Sequence, residues 1–219
     1  MSNNISQQTR TTVRVRSLFA ALVLAAFGTV SHSSAQAFVT PNTPATITPP
    51  AGNTAFLLGH ALGSQGYTCL PTSTGSTSWT VNGARPEATL FASFFGHLVQ
   101  IVTHFTSVNA NPKPDVIAPL SGNATWQSSF DTSKVWAKAT GILPAGSDAS
   151  CPNAGAIPCL LLQSIGNQEG PTGGRILANT TFVQRLNTRG GSAPTTACSV
   201  GQTQLVPYTA DYIFFHIAE

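Results

Sequence analysis

The last third of the chain carries the pattern that most constrains the fold, because it predicts two strands joined by a glycine turn and a covalent cross-link. After Gly190-Gly191 and Cys198, apolar and polar residues alternate almost to the end of the chain. Period-two alternation is typical of a half-buried β-strand, since successive side chains of a strand point to opposite faces. The predicted apolar face consists of Val206, Tyr208, Ala210, Tyr212 and Phe214.

Further strand signals occur upstream of this segment. Residues 176–187 alternate in the same way, residues 157–165 form an apolar run typical of a buried strand, and residues 134–140 fit a strand. Residues 88–106 are long and apolar enough for a helix, but their β-branched and aromatic residues favour strand structure. We therefore expect two strands in that segment, broken at Gly96.

Glycine also predicts turns earlier in the chain. Gly59, Gly63 and Gly66 punctuate residues 55–69, which we interpret as a hairpin with glycine at its turns. Asn82-Gly83 follows a short strand signal and predicts a second turn.

The first 37 residues have the three parts of a secretory signal peptide. A basic region with Arg10, Arg14 and Arg16 precedes an apolar run, and Ala35-Gln36-Ala37 fits a cleavage site. The apolar run is shorter than the roughly 20 residues that span a bilayer, although an uncleaved anchor is the alternative. We expect a signal peptide over residues 1–37, a Pro/Thr-rich N-terminal arm over residues 38–53 and a single β-rich domain over residues 54–219.

Net charge gives no reason to expect a polyanionic partner. The whole chain carries a formal charge of +3, but three of its ten basic residues lie in the predicted signal peptide and all seven acidic residues follow it. The remaining chain is formally neutral, which argues against nucleic acid as a partner. We also expect no membrane span after signal removal.

The four cysteines lie after the predicted signal peptide, and an even number in an exported chain favours disulfides. Four cysteines allow three pairings. Cys151 and Cys159 are close enough in sequence to close a small loop, which would leave Cys69 for Cys198. The predicted fold class is all-β: a single-domain antiparallel sandwich or barrel with long loops and two disulfides.

Several motifs occur in order along the chain. They are Gly63-x-Gln65-x-Tyr67-x-Cys69, His104-Phe105, Thr125-Trp126, Asp131-Thr132-Ser133-Lys134-Val135, Ile157-Pro158-Cys159-Leu160-Leu161-Leu162, Gln184-Arg185-Leu186-Asn187-Thr188-Arg189-Gly190-Gly191-Ser192-Ala193-Pro194 with Cys198, and Val206-Pro207-Tyr208-Thr209-Ala210-Asp211-Tyr212. Together these motifs resemble a family of exported bacterial and fungal proteins, the domain of unknown function 3455. The resemblance covers nearly all of the chain after residue 37. It implies no activity and transfers no functional residue.

The resemblance does bear on the cysteines. The family usually has tryptophan where Cys159 stands, and Cys151 is extra to its pattern. The paired gain of two nearby cysteines supports a Cys151–Cys159 bond. It also implies that Cys69 and Cys198, which match the family pattern, bond each other.

Two candidate binding residues are aromatic. His104 is the best single candidate among the histidines, because it lies in a motif of the family pattern. Trp126 belongs, with Trp79 and Trp136, to a possible sugar-stacking set, but we expect at least two of the three to pack in the core. Isolated histidines rarely build a metal site, so we predict no metal and no cofactor.

The other three candidates are charged. Asp131 and Asp211 are carboxylates in motifs of the family pattern, and glycoside hydrolysis needs two such groups. The competing and favoured interpretation is that each pairs with Arg185 or Arg189. Arg185 is a candidate clamp for an anionic ligand, against the simpler roles of a structural ion pair or a solvated arginine.

No catalytic motif singles out a reaction. The chain lacks a G-x-S-x-G elbow and a G-x-G-x-x-G turn. We therefore expect an extracytoplasmic, non-enzymatic protein of the envelope or the medium that binds a small molecule, a glycan or an envelope partner. The alternatives are a secreted hydrolase that acts on envelope or extracellular polymer, and a histidine-ligated metalloprotein.

Overall fold

The computed structural model describes residues 39–116 and 122–218, so the predicted signal peptide lies outside the described residues. Within them the chain forms eight strands: β1 (Asn53–Pro71), β2 (Thr77–Phe94), β3 (His97–Ser107), β4 (Asn123–Ser128), β5 (Lys134–Leu143), β6 (Cys159–Gln168), β7 (Phe182–Gly190) and β8 (Thr203–Ile217). The strands form a closed barrel in chain order, and β8 pairs antiparallel with β1. The all-β antiparallel prediction is confirmed, and of its two forms the barrel is the one observed.

Large aromatic and small residues together fill the barrel interior. Trp126, Tyr212 and Phe214 are among the largest fully buried side chains. Opposite them β1 contributes Gly63, where an added Cβ would lie 2.5 Å from the Ala88 Cβ. Small barrels have room for side chains and little else, so glycine at this position of β1 leaves space for Ala88 of β2.

A second apolar cluster covers the outside of β6, β7 and β8. It consists of Ile47, Cys151, Cys159, Leu161, Leu186, Ile213 and Phe215. Ile47 belongs to the predicted N-terminal arm, whose described part includes a 3-10 helix, Ala45–Ile47. Gln184 donates a hydrogen bond from Nε2 to the Ile47 carbonyl oxygen at 2.6 Å. Because the arm packs here, both faces of β8 are buried near its C-terminal end, which explains the consecutive apolar residues Ile213, Phe214 and Phe215.

Two disulfides cross-link the structure. Cys69 bonds Cys198, and Cys151 bonds Cys159. These are the pairs that the family resemblance implied. They are compatible with an extracytoplasmic protein, since disulfides persist in oxidising compartments. In the described part of the chain, no helix is long and apolar enough to cross a membrane.

The break at Gly96 is confirmed, since β2 ends at Phe94 and β3 begins at His97. The hairpin predicted over residues 55–69 is wrong, because Gly59, Gly63 and Gly66 all lie within the continuous strand β1. There glycine relieves crowding rather than turning the chain.

The turn predicted at Asn82-Gly83 is also wrong. Gln65 pairs with Pro86 while Tyr67 pairs with Val81, so the intervening residues of β2 form a bulge opposite β1. The strand predicted over residues 176–187 begins only at Phe182. Its first part is a turn, with a hydrogen bond from the Ala178 N–H to the Arg175 carbonyl oxygen at 3.1 Å.

Candidate functional site

A cavity of about 90 Å³ lies inside the barrel and brings together three of the five candidate residues. Its lining is Pro86, His104, Ala124, Trp126, Leu160, Leu162, Arg185 and Tyr212. Two strand pairings explain the convergence. His104 on β3 lies directly across from Trp126 on β4, and Arg185 on β7 lies directly across from Tyr212 on β8.

His104 is a buried, neutral imidazole. Its ring stacks on Trp126 with a centroid distance of 4.3 Å and an interplanar angle of 7°. Its Nδ1 lies 2.9 Å from the Thr125 carbonyl oxygen, and since a carbonyl only accepts, Nδ1 carries the proton. Burial lowers the pKa of His104 from 6.5 to about 4, and the nearby Arg185 charge acts in the same direction. The neutral ring therefore has an unprotonated Nε2 that can accept a hydrogen bond.

Arg185 is a buried cation that has no acidic partner in the described part of the chain. Its side chain is 8% exposed, and Nε and Nη2 both donate to the Pro158 carbonyl oxygen, at 3.2 and 2.8 Å. None of the ion pairs among the described residues includes it. The expected structural ion pair or solvated arginine is thus wrong for Arg185. A buried charge without a counter-ion loses solvation free energy, at a cost of roughly several kcal/mol.

Trp126 adds a buried hydrogen-bond donor to the cavity lining. The residue is 1% exposed, and its Nε1 has no partner among the described residues. Buried indole N–H groups usually find an acceptor. Trp126 and Arg185 therefore both bring buried donor groups to the lining of the cavity.

Tyrosines complete the polar part of the interior. The hydroxyls of Tyr208 and Tyr212 lie 3.0 Å apart, and Tyr67 donates to the Gly191 carbonyl oxygen at 2.6 Å. Burial raises the pKa of both Tyr67 and Tyr208, while the positive charge of Arg185 opposes that rise. Both phenols are therefore neutral donors at physiological pH, and Arg185 is the cation in their surroundings.

Asp211 lies outside the barrel, in an open groove of about 480 Å³ between β1, β7 and β8. Its Oδ1 is 2.6 Å from His60 Nδ1, and its Oδ2 accepts a hydrogen bond from Asn187 Nδ2 at 2.7 Å. Asn187 has φ of 50° beside a register shift in β7, and Arg189 also lines the groove. Sequence reasoning missed the pairing with His60, because only the register of β1 against β8 places these residues side by side.

Asp131 links the β4–β5 and β6–β7 connections through hydrogen bonds. Its Oδ1 accepts from the Ser133 N–H at 3.1 Å and from Ser133 Oγ at 2.7 Å, and its Oδ2 accepts from the Ile176 N–H at 2.9 Å. Burial acts to raise the pKa of Asp131, but hydrogen bonds from Ile176, Ser133 and Ser128 outweigh it and lower the pKa. The expected pairing of Asp131 and Asp211 with Arg185 or Arg189 is wrong, because their partners are the groups named above.

The tryptophans form no stacking platform. Trp126 and Trp136 are buried, which confirms that at least two of the three pack in the core. Trp136 donates from Nε1 to Ser107 Oγ at 2.9 Å, and Trp79 donates from Nε1 to the Thr196 carbonyl oxygen at 3.0 Å.

A metalloprotein requires a cluster of metal-ligating side chains, and a glycoside hydrolase requires two carboxylates placed across a sugar. No group of three or more His, Cys, Asp or Glu residues in the described ranges could hold a metal ion. Among the residues that line the groove, Asp211 is the one carboxylate. A two-carboxylate glycosidase site is therefore not formed there.

Comparison with known proteins gave one match. A protein-family model described as a protein of unknown function (DUF3455) matches residues 50–216. No curated protein and no solved structure matches the chain. The matched range includes every residue that lines the interior cavity and both disulfides.

Proposed function

The chain belongs to the DUF3455 family of proteins of unknown function. From the geometry of its barrel interior we propose that it is an exported protein that binds a small anionic molecule without transforming it. Export is supported by the signal-peptide pattern of residues 1–37 and by two disulfides.

The observation that carries the proposal is Arg185, a cation buried inside the barrel without a carboxylate among the described residues. Among the described residues, the Pro158 carbonyl oxygen is the one hydrogen-bond acceptor of its guanidinium, and it engages one edge. A guanidinium presents five N–H donors in a planar fork that suits oxyanions. A bound anion supplies the missing counter-charge and offsets the cost of burying the cation.

The neighbouring groups extend this donor set. The partnerless Nε1–H of Trp126 is a second donor, and the unprotonated Nε2 of His104 is an acceptor. A ligand with an anionic oxygen and one hydroxyl group would match this set, because the oxygen accepts from Arg185 and Trp126 and the hydroxyl group donates to His104. Because His104 is neutral, Arg185 supplies the only full charge among the lining residues, which favours a monoanion.

The size of the cavity limits the ligand. Its volume of about 90 Å³ leaves room for only a few water-sized groups. A small oxyanion or a short carboxylic acid fits this space, whereas a glycan chain does not.

A hydrolase is the second candidate, and the His60–Asp211 pair favours it. A carboxylate that holds imidazole Nδ1 is the orienting part of an acid–base dyad. The groove of about 480 Å³ is also open to a polymer segment. The described lining residues, however, include neither a second carboxylate nor a serine or cysteine nucleophile.

Thermal unfolding with added anions tests the binding proposal. We expect at least one of acetate, lactate, phosphate and sulfate to raise the Tm saturably at constant ionic strength, since a ligand that binds only the folded state stabilises it. Arg185→Met should abolish this rise, and Trp126→Phe, which keeps the ring but removes the donor, should weaken binding about tenfold. The matched control is Arg189→Met, because Arg189 is exposed on the same strand.

Two outcomes contradict the proposal. One is that no anion of the panel gives a saturable shift. The other is that Arg185→Met and Arg189→Met respond to the anion as the wild type does. Turnover of a chromogenic ester that is lost in His60→Gln would instead support the hydrolase.

A further inference from the structure

The turn between β2 and β3 carries a fully exposed phenylalanine in a strained backbone conformation. Phe94 pairs with His97, so Phe95 and Gly96 form a two-residue turn. Their φ angles are 50° and 78°. Turns with two positive φ angles strongly prefer Asn, Asp or Gly, and a bulky residue there is an outlier.

No packing contact within the described structure offsets this strain. Phe95 is fully exposed, Leu98 is 73% exposed and Phe94 is 47% exposed. An aromatic side chain that strains its turn and is fully exposed is available for contacts with another molecule. Exposed apolar clusters of this kind mark interaction sites.

The same end of the barrel exposes further apolar side chains. Because the strands alternate in direction, the β2–β3, β4–β5 and β6–β7 connections all lie at one end. Phe130, 60% exposed, lies in the second connection, and Ile176, also exposed, lies in the third. We call these five residues the apolar rim: Phe94, Phe95, Leu98, Phe130 and Ile176.

The β2–β3 turn of the apolar rim contains no formal charge. The sequence between Glu87 and Lys113, which includes the whole β2–β3 turn, contains no Asp, Glu, Lys or Arg. In the other two connections Asp131 is held by internal hydrogen bonds, and Glu169 pairs with Arg175 at 2.9 Å. The turn that carries Phe95 can therefore leave water without desolvating an ionised acid or base.

We propose that the apolar rim rests on a lipid bilayer, with Phe95 inserted at the boundary between headgroups and acyl chains. Three connections expose apolar residues at this end, and Phe95, the most exposed of them, lies in a turn that contains no ionised residue. A protein partner would normally meet a polar rim with matched hydrogen-bond groups, whereas a bilayer interface takes up aromatic and aliphatic side chains without such matching.

Vesicle co-sedimentation of the protein purified from an exporting host tests this proposal. We expect binding to phosphatidylcholine vesicles, with little change when phosphatidylglycerol or salt is added, because the contact is apolar. Phe95→Asn should weaken binding roughly tenfold, by removing one buried aromatic side chain. Asn suits the positive φ of this turn, so the variant should unfold at a Tm no lower than that of the wild type.

The matched control is Val200→Asn. Val200 is 61% exposed but lies in the β7–β8 connection, at the opposite end of the barrel. Equal binding by wild type and Phe95→Asn, or an equal loss in Val200→Asn, would overturn the proposal. So would binding that needs phosphatidylglycerol and disappears in salt, or a lipid-free dimer that Phe95→Asn dissociates while vesicle binding is absent.

Discussion

Arg185 and His104 show how one burial environment acts on two different bases. Arginine stays charged in proteins, so burial leaves Arg185 as a cation that needs a counter-ion. Histidine can release its proton, so burial and the Arg185 charge together keep His104 neutral. The cavity therefore combines one fixed positive charge with one neutral acceptor.

The depressed pKa of His104 predicts a pH dependence of stability. Between pH 6.5 and about 4 the unfolded chain binds a proton at this residue and the folded protein does not. The free energy of unfolding should therefore fall as the pH is lowered through this window, by up to about 3 kcal/mol. Urea denaturation at a series of pH values measures the slope.

His104→Gln is the control for this prediction. Glutamine keeps a donor and an acceptor but does not titrate, so its profile should be flatter between pH 6.5 and about 4. The lowered pKa of Asp131 gives a loss of stability in the same direction, but only below its ordinary value of 3.8. An unchanged slope in His104→Gln would assign the pH dependence to other groups.

At the scale of elements, the connections between strands are fixed by side chains rather than by turn sequences alone. Asp131 joins the β4–β5 turn to the β6–β7 connection, because one carboxylate accepts hydrogen bonds from both Ser133 and Ile176. These hydrogen bonds account for Asp131 in its family-like motif through the geometry of the turn.

Asp131→Ala should lower the free energy of unfolding by about 2 kcal/mol, because it leaves the Ser133 and Ile176 N–H groups without their acceptor. Chemical denaturation at neutral pH measures the change. Glu169→Ala in the adjacent connection is the comparison, since its ion pair with Arg175 is exposed and should contribute about 0–1 kcal/mol. Similar losses in both variants would count against the fastening role of Asp131.

At the scale of the whole molecule, two disulfides act over very different lengths of chain. Cys69–Cys198 spans 129 residues and Cys151–Cys159 spans 8. The first ties the end of β1 to the β7–β8 connection. The second lies in the outer apolar cluster and closes the loop that carries Pro158, the partner of Arg185.

Loss of the long-range bond should cost more than loss of the short one. In the chain-entropy model the Cys69→Ser/Cys198→Ser double variant loses about 5 kcal/mol and the Cys151→Ser/Cys159→Ser double variant about 2–3 kcal/mol. Equilibrium denaturation of both variants compares them. The reverse order would show that native packing around Cys151–Cys159 outweighs loop length.

The sequence by itself determined the class of the fold and part of the site. Period-two alternation predicted β8, the cysteine count predicted two disulfides, and the family motifs selected His104, Trp126 and Arg185. These signals are local, because a strand alternates whatever its neighbours are. The sequence did not predict that glycines would lie inside β1, since a glycine that relieves crowding resembles one that turns the chain.

Only the tertiary structure decided which candidates meet. Residues such as His104 and Arg185 converge inside the barrel, and His60 meets Asp211 outside it, through strand registers that join distant parts of the chain. A one-residue slip in register moves a side chain to the opposite face of a strand. Closure of the sheet in these registers therefore placed Arg185 inside the barrel and Asp211 in the outer groove.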